Sequence, residues 1–129
     1  MIGTLSDYPG DSSRKYRQVA KQALGAADLV WFVGSNTSHV AKMTAAHTGL
    51  HHVRDVRLLC EQLLPDLRPG DLVLAKGSQS DHLERLLLHA SGAVACWKSR
   101  CGVHYIPCHA CAQRLIPSEP DSAPAARAV

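Results

Sequence analysis

The chain has 129 residues, enough for one domain with a core of its own. Hydrophobic residues make up 46% and charged residues 19%, with a formal net charge of +3 and scattered basic positions. These values exclude a disordered chain and argue against a nucleic-acid binder, whose basic residues gather on one face. No apolar run approaches the roughly 20 residues that a membrane-spanning helix needs. With only two Trp, three Tyr and one Phe, the core must be filled by aliphatic side chains.

The elements alternate along the chain. Ile2 to Leu5 is a short apolar run that ends in the turn sequence Asp7-Tyr8-Pro9-Gly10. A helix is predicted from Ser12 or Ser13, with Ser13 as N-cap. Tyr16, Val19, Ala20, Ala23, Leu24 and Ala27 recur at three- and four-residue steps and form its apolar face. Leu29 to Val33 is a continuous apolar run, the mark of a strand buried on both faces of a parallel sheet. A weaker helix over 37–47 and a short strand at 51–53 follow. The next helix, from Asp55 to about Leu64, presents Val56, Leu59, Cys60 and Leu63.

Arg68-Pro69-Gly70-Asp71 is a turn into a predicted buried strand, Leu72–Ala75, which runs into Lys76-Gly77-Ser78. Asp81 is expected to open the last helix, with Glu84 as its capping-box partner. Alternation of strand and helix with short loops predicts an α/β fold, Rossmann-like and doubly wound, with a mostly parallel sheet over residues 1–90. Residues 91–116 are rich in Cys, His and Gly, and residues 117–129 read as a disordered tail. The first strand is short for a central strand and starts at Met1, which suggests a piece cut from something longer.

The N-terminus lacks a basic stretch followed by an apolar one, so a cytosolic compartment with reduced thiols is expected. Cysteines are then better read as metal ligands or core residues than as disulfides. Cys96 and Cys101 are separated by four residues, Cys108 and Cys111 form a C-x-x-C, and six residues lie between the pairs. Two such knuckles can place four thiolates around one tetrahedral zinc, so a structural four-cysteine zinc site is predicted at Cys96, Cys101, Cys108 and Cys111. His104 and His109 are fallback ligands, and a redox pair at Cys108 and Cys111 is the alternative. Cys60, on an apolar stripe, is expected in the core.

Three segments in order resemble the C-terminal domain of Mur ligases, most nearly the branch that adds D-alanyl-D-alanine to a UDP-muramoyl peptide. They are Ile2-Gly3-Thr4-Leu5-Ser6-Asp7, Asp28-Leu29-Val30-Trp31-Phe32-Val33-Gly34, and Arg68 to Ser78 followed by Leu83-Glu84-Arg85. The third is the most specific, resembling a P-G-D-x-V-L-x-K-G-S stretch followed by E-R. The match departs from the pattern at Gly3–Asp7 and at Gln79–His82, and the cysteine segment is absent from the ordinary cell-wall enzymes.

The resemblance implies an ATP-dependent amide ligase in which an amine attacks an acyl phosphate. A central domain holds ATP and magnesium, and the C-terminal domain closes over it as a lid and binds the incoming amino acid or dipeptide. Ligands of open α/β sheets sit beyond the carboxyl ends of the strands. The substrate-facing candidates there are Asp7, Ser12, Arg14, Asn36, Lys76, Gly77 and Ser78. Lys76 would offer a point charge, Ser78 a hydroxyl and Gly77 close backbone approach. Asp7 would hold an ammonium group or a ribose hydroxyl.

The bland alternatives are a turn at Lys76–Ser78 and a helix cap at Ser12–Arg14. No G-x-x-x-x-G-K-[ST] occurs, so the chain carries no P-loop and is expected to be inactive alone. The partner is then a P-loop central domain, in the same longer chain or a separate subunit. The rival reading is a zinc-containing module that binds protein or, with few basic residues near the knuckle, nucleic acid. A third is an inactive remnant.

Overall fold

A computed structural model describes residues 1–6, 9–103 and 105–121. Its sheet is parallel. β1 (Val30–Val33) pairs with β2 (Leu50–Val53), Val30 lying opposite Leu50 and Val33 opposite Val53. Ile2 extends this row by single parallel bridges, to Phe32 on one side and Lys76 on the other. The Ile2 N–H donates to the Trp31 carbonyl at 2.7 Å and the Gly3 N–H to the Lys76 carbonyl at 2.8 Å. Side by side, the order is β2, β1, residue 2, residue 76.

Among the described residues, four α-helices cover this row on both faces: α1 (Ser12–Leu24), α2 (Ser38–Thr44), α3 (Val56–Leu63) and α4 (Arg85–Ala90). Alternation along β1 divides the core in two, because successive strand residues point to opposite faces. Val30 and Phe32 pack with Leu50 against Tyr16 and Ala20 of α1 and Val40 of α2. Trp31 and Val33 pack with Val53 against Leu59, Cys60 and Leu63 of α3 and Leu86 of α4. The sequence-predicted apolar stripe of α3 is thus the buried one, and Cys60 lies in the core at 2% exposure.

Several expectations are corrected. Only two of the four predicted strands form as strands. Ile2–Leu5 contributes one bridging residue, and Leu72–Ala75 is open chain with Leu72 96% and Leu74 77% exposed. The bridge from Ile2 reaches Lys76, and among the described residues none forms at residues 72–75. What ties them to this edge is the Met1 ammonium, which donates to the Leu74 carbonyl at 2.7 Å.

The N-cap of α1 is Asp11, whose carboxylate accepts from the Ser13 and Arg14 N–H groups; Ser13 is already helical. Asp81 does not open α4. It closes a capping box with Ser78 around a 3₁₀ turn, Gln79–Asp81, and α4 starts at Arg85 with Glu84 before it. Beyond α4, the described part of 91–121 is irregular apart from a 3₁₀ turn at Cys108–Ala110 and a bridge between Cys96 and Ser118. Of the segment read as a tail, Ser118 to Asp121 reach back to the cysteine region or to α3, and residues 122–129 lie outside the described residues.

Candidate ligand cleft and metal centre

Every paired segment of the sheet row runs parallel, so their carboxyl ends meet on one side. Thr4 follows Ile2, Gly34 and Ser35 follow β1, Arg54 and Asp55 follow β2, and Ser80 and Asp81 follow Lys76. These residues line a cleft of about 760 Å³. Its far wall is made by the cysteine segment through Trp97, Ser99 and Arg100 and by Glu119 to Asp121. Four guanidinium groups (Arg54, Arg57, Arg85, Arg100) and four carboxylates (Asp55, Asp81, Glu119, Asp121) surround it. Arg54 pairs with Asp55 at 3.2 Å, and Arg57 pairs with Glu61 and with Glu119.

Asp81 organises the near wall. Its carboxylate accepts the Thr4 N–H at 2.8 Å, the Thr4 hydroxyl at 2.7 Å and the Ser78 N–H at 2.7 Å. Gly3 and Gly77 leave it room: a Cβ on either would stand 2.3 Å or 2.6 Å from Asp81 Oδ2. Two segments singled out for their resemblance, Gly3–Thr4 and Lys76–Ser78, are therefore fastened together by one side chain. Tyr16 supports the first loop by accepting the Leu5 N–H at 2.9 Å.

The predicted substrate residues distribute unevenly. Lys76 and Gly77 are exposed and Ser78 is half-buried as the cap; none of the three lines the cleft, to which this segment contributes Ser80 and Asp81. Asn36 lies in the 3₁₀ turn Ser35–Thr37, where its neighbour Ser35, not Asn36 itself, lines the cleft. Ser12 and exposed Arg14 belong to the first turn of α1 and do not line it. Asp7 lies outside the described residues. The arginines after β2 were not foreseen, since two charged residues in a short loop give no motif. Arg85 carried a signal, standing in the Leu83-Glu84-Arg85 segment; it is 3% exposed.

All four knuckle cysteines, together with His82 and Arg85, line one void of about 10 Å³, the space of a single water-sized sphere. Among the described residues, however, no three cysteine sulfurs lie within 4.8 Å of one another. The group that does reach that distance is His82, Glu84 and Cys108. Cys108 Sγ lies 3.4 Å from His82 Nδ1, and the Cys108 N–H donates to Glu84 Oε1 at 2.9 Å. The Arg85 Nε–H donates to Cys108 Sγ at 3.2 Å, and another of its N–H groups donates to the Lys98 carbonyl at 2.8 Å. The Ser118 hydroxyl donates to Cys96 Sγ at 3.2 Å.

The electrostatics separate these groups. Burial pushes the Cys108 thiol up to about 11, against the pull of Arg85. Cys96 is also raised by burial, but the Ser118 hydroxyl, the Lys98 backbone and the charge of Arg85 outweigh this and leave it below an ordinary thiol. Burial likewise raises Glu84, and the bond from the Cys108 backbone brings it net below the usual carboxylate range. The five cysteines are free, and this cluster offers nitrogen, oxygen and sulfur donors that could hold a metal ion. Of the fallback ligands, His109 is exposed and His104 lies outside the described residues.

No family model, curated protein or solved structure matches the chain. No helix among the described residues is long and apolar enough to cross a membrane.

Proposed function

We propose that this chain is a ligand-binding α/β domain whose cleft takes a small molecule bearing both signs of charge. More particularly, we infer that it is the C-terminal, substrate-binding lid of an ATP-dependent Mur-type amide ligase. The observation that carries this reading is the cleft of mixed charge beyond the carboxyl ends of the parallel segments, with the Gly3–Thr4 and Lys76–Ser78 loops fastened at its edge. The reading is supported by the two-stranded parallel sheet and the single parallel bridges at residues 2 and 76; in a doubly wound sheet of order 3-2-1-4 these would be four strands with ligand at their carboxyl edge.

An amino acid or dipeptide carries an ammonium and a carboxylate. Arg54 and Arg100 suit the carboxylate, because a guanidinium matches its two oxygens. Asp55 and Asp121 suit the ammonium. Lys76, exposed in the loop that leads to Ser80 and Asp81, would face the acyl phosphate held by a partner domain that carries ATP and magnesium. Lid closure would exclude water from that reactive phosphate. The cysteine-lined void would hold one structural zinc, fixing a segment with few large apolar residues. Such a protein works in the cytosol, beside a P-loop partner in the same or a neighbouring gene product.

Calorimetry of the zinc-loaded chain tests this reading. D-alanyl-D-alanine or pyrophosphate should bind measurably, and Arg54→Ala or Arg100→Ala should weaken binding about 10-fold, near 1.4 kcal/mol. ATP should bind weakly or not at all, because there is no P-loop. Tight binding of ATP, or no binding of either probe, would contradict it.

A further inference from the structure

We propose that the metal centre draws one ligand from the α/β body: His82, through Nδ1, joins Cys108 and two of the other three cysteines around a single zinc. This inference rests on the zinc reading above and goes beyond the four-cysteine site that the spacing suggests.

Distance is the first support. Two ligands about 2.0 Å (N) and about 2.3 Å (S) from a tetrahedral zinc stand about 3.5 Å apart. The His82 Nδ1 to Cys108 Sγ separation is 3.4 Å, a hydrogen-bond distance that a shared zinc would need to change little. Among the described residues no three cysteine sulfurs, and no two of them with His82, lie within 4.8 Å of one another, the third donor at that distance being Glu84, so the two further cysteines, which line the same void, would close in on binding the ion.

Backbone shape is the second. His82 is the only non-glycine residue with positive φ among those described, at φ 52° and ψ 36°. That left-handed conformation costs an L-residue energy and persists only where surroundings fix it. It turns the chain sharply between the capped turn Gln79–Asp81 and α4, and buries the imidazole to 2% exposure beside the cysteine void. A surface turn would have no use for a buried imidazole.

Charge is the third. A zinc with three thiolates and a neutral imidazole carries about one negative charge, and buried Arg85 lies against Cys108 Sγ to balance it. Glu84 keeps a supporting role: its carboxylate holds the Cys108 backbone N–H and so orients the ligand turn Cys108–Ala110. In this arrangement the metal is a clamp. It ties residue 82, one position after Asp81 at the cleft's near wall, to the segment whose Trp97, Ser99 and Arg100 build the far wall.

X-ray absorption at the zinc edge of the wild-type chain, purified reduced and loaded with zinc alone, reads the shell directly. The expected result is one nitrogen at about 2.0–2.1 Å and three sulfurs at about 2.3 Å, with the outer-ring scattering of an imidazole. Four sulfurs and no nitrogen would overturn the inference while leaving the zinc reading intact. Absence of bound zinc would overturn both. Variants give an independent readout. His82→Ala should weaken zinc binding at least ~100-fold, and His82→Cys should restore it with a four-sulfur shell. Among Cys96→Ser, Cys101→Ser, Cys108→Ser and Cys111→Ser, three should lose the metal, Cys108→Ser among them, and one should keep it. Loss in all four, with tight binding kept in His82→Ala, would overturn the assignment.

Discussion

Asp81 gives the sharpest test of how the cleft is built. Replacing it with alanine removes three hydrogen bonds: from the Thr4 N–H, the Thr4 hydroxyl and the Ser78 N–H. The two to Thr4 are solvent-exposed and worth about 0.5–1 kcal/mol each, while the half-buried one to Ser78, with a charged acceptor, is worth about 1.5–2 kcal/mol. The expected loss is roughly 2.5–4 kcal/mol, or a fall in Tm of about 10 °C for a domain of this size. Gly3→Ala should cost about 1–3 kcal/mol in the parent chain, since its Cβ would meet Asp81 Oδ2 at 2.3 Å. In the Asp81→Ala background the carboxylate is gone and only the residue-81 Cβ remains, at 3.0 Å, so Gly3→Ala should cost less, under about 1 kcal/mol. Urea unfolding of the four chains, followed by far-ultraviolet circular dichroism, measures the coupling. Additive losses, or an Asp81→Ala loss below about 0.5 kcal/mol, would refute the role given to Asp81.

Further outcomes follow from the helices and the exposed edge. Asp11→Ala should cost about 1 kcal/mol and Ser13→Ala only a few tenths, because Asp11 caps α1; thermal unfolding would show the difference. Burial pushes the Cys60 thiol up to about 11, so iodoacetamide at about pH 8 should leave Cys60 unmodified in the folded chain and label it in urea, as peptide mass spectrometry would record. Leu72→Lys and Leu74→Lys should each change stability by less than about 0.5 kcal/mol, since both side chains point to solvent; a loss of about 2 kcal/mol or more would restore the buried strand.

Much of the α/β body was legible in the sequence because local patterns and packing agree there. The run at Leu29–Val33 became β1 except for exposed Leu29, and the stripes of α1, without exposed Ala27, and of α3 became the two core faces. Periodicity failed at Leu72–Ala75, where no strand among the described residues pairs with the apolar run and Leu72 and Leu74 face solvent. Asp81 and Glu84 fit a capping box by spacing, yet long-range partners, Thr4 and Cys108, claim their carboxylates. Spacing placed the four cysteines around one void but carried no hint of His82 as a neighbour of Cys108, which depends on a left-handed turn formed only in the folded chain.

The most direct test of the central claim is a map of where ligand binds. Amide resonances of the zinc-loaded chain should be followed while D-alanyl-D-alanine, and separately pyrophosphate, is added. Saturable shifts at Thr4, Gly34, Arg54, Ser80 and Asp81, lost in Arg54→Ala, are the result predicted for a substrate lid. Shifts confined to residues away from these segment ends, or none at all, would contradict it.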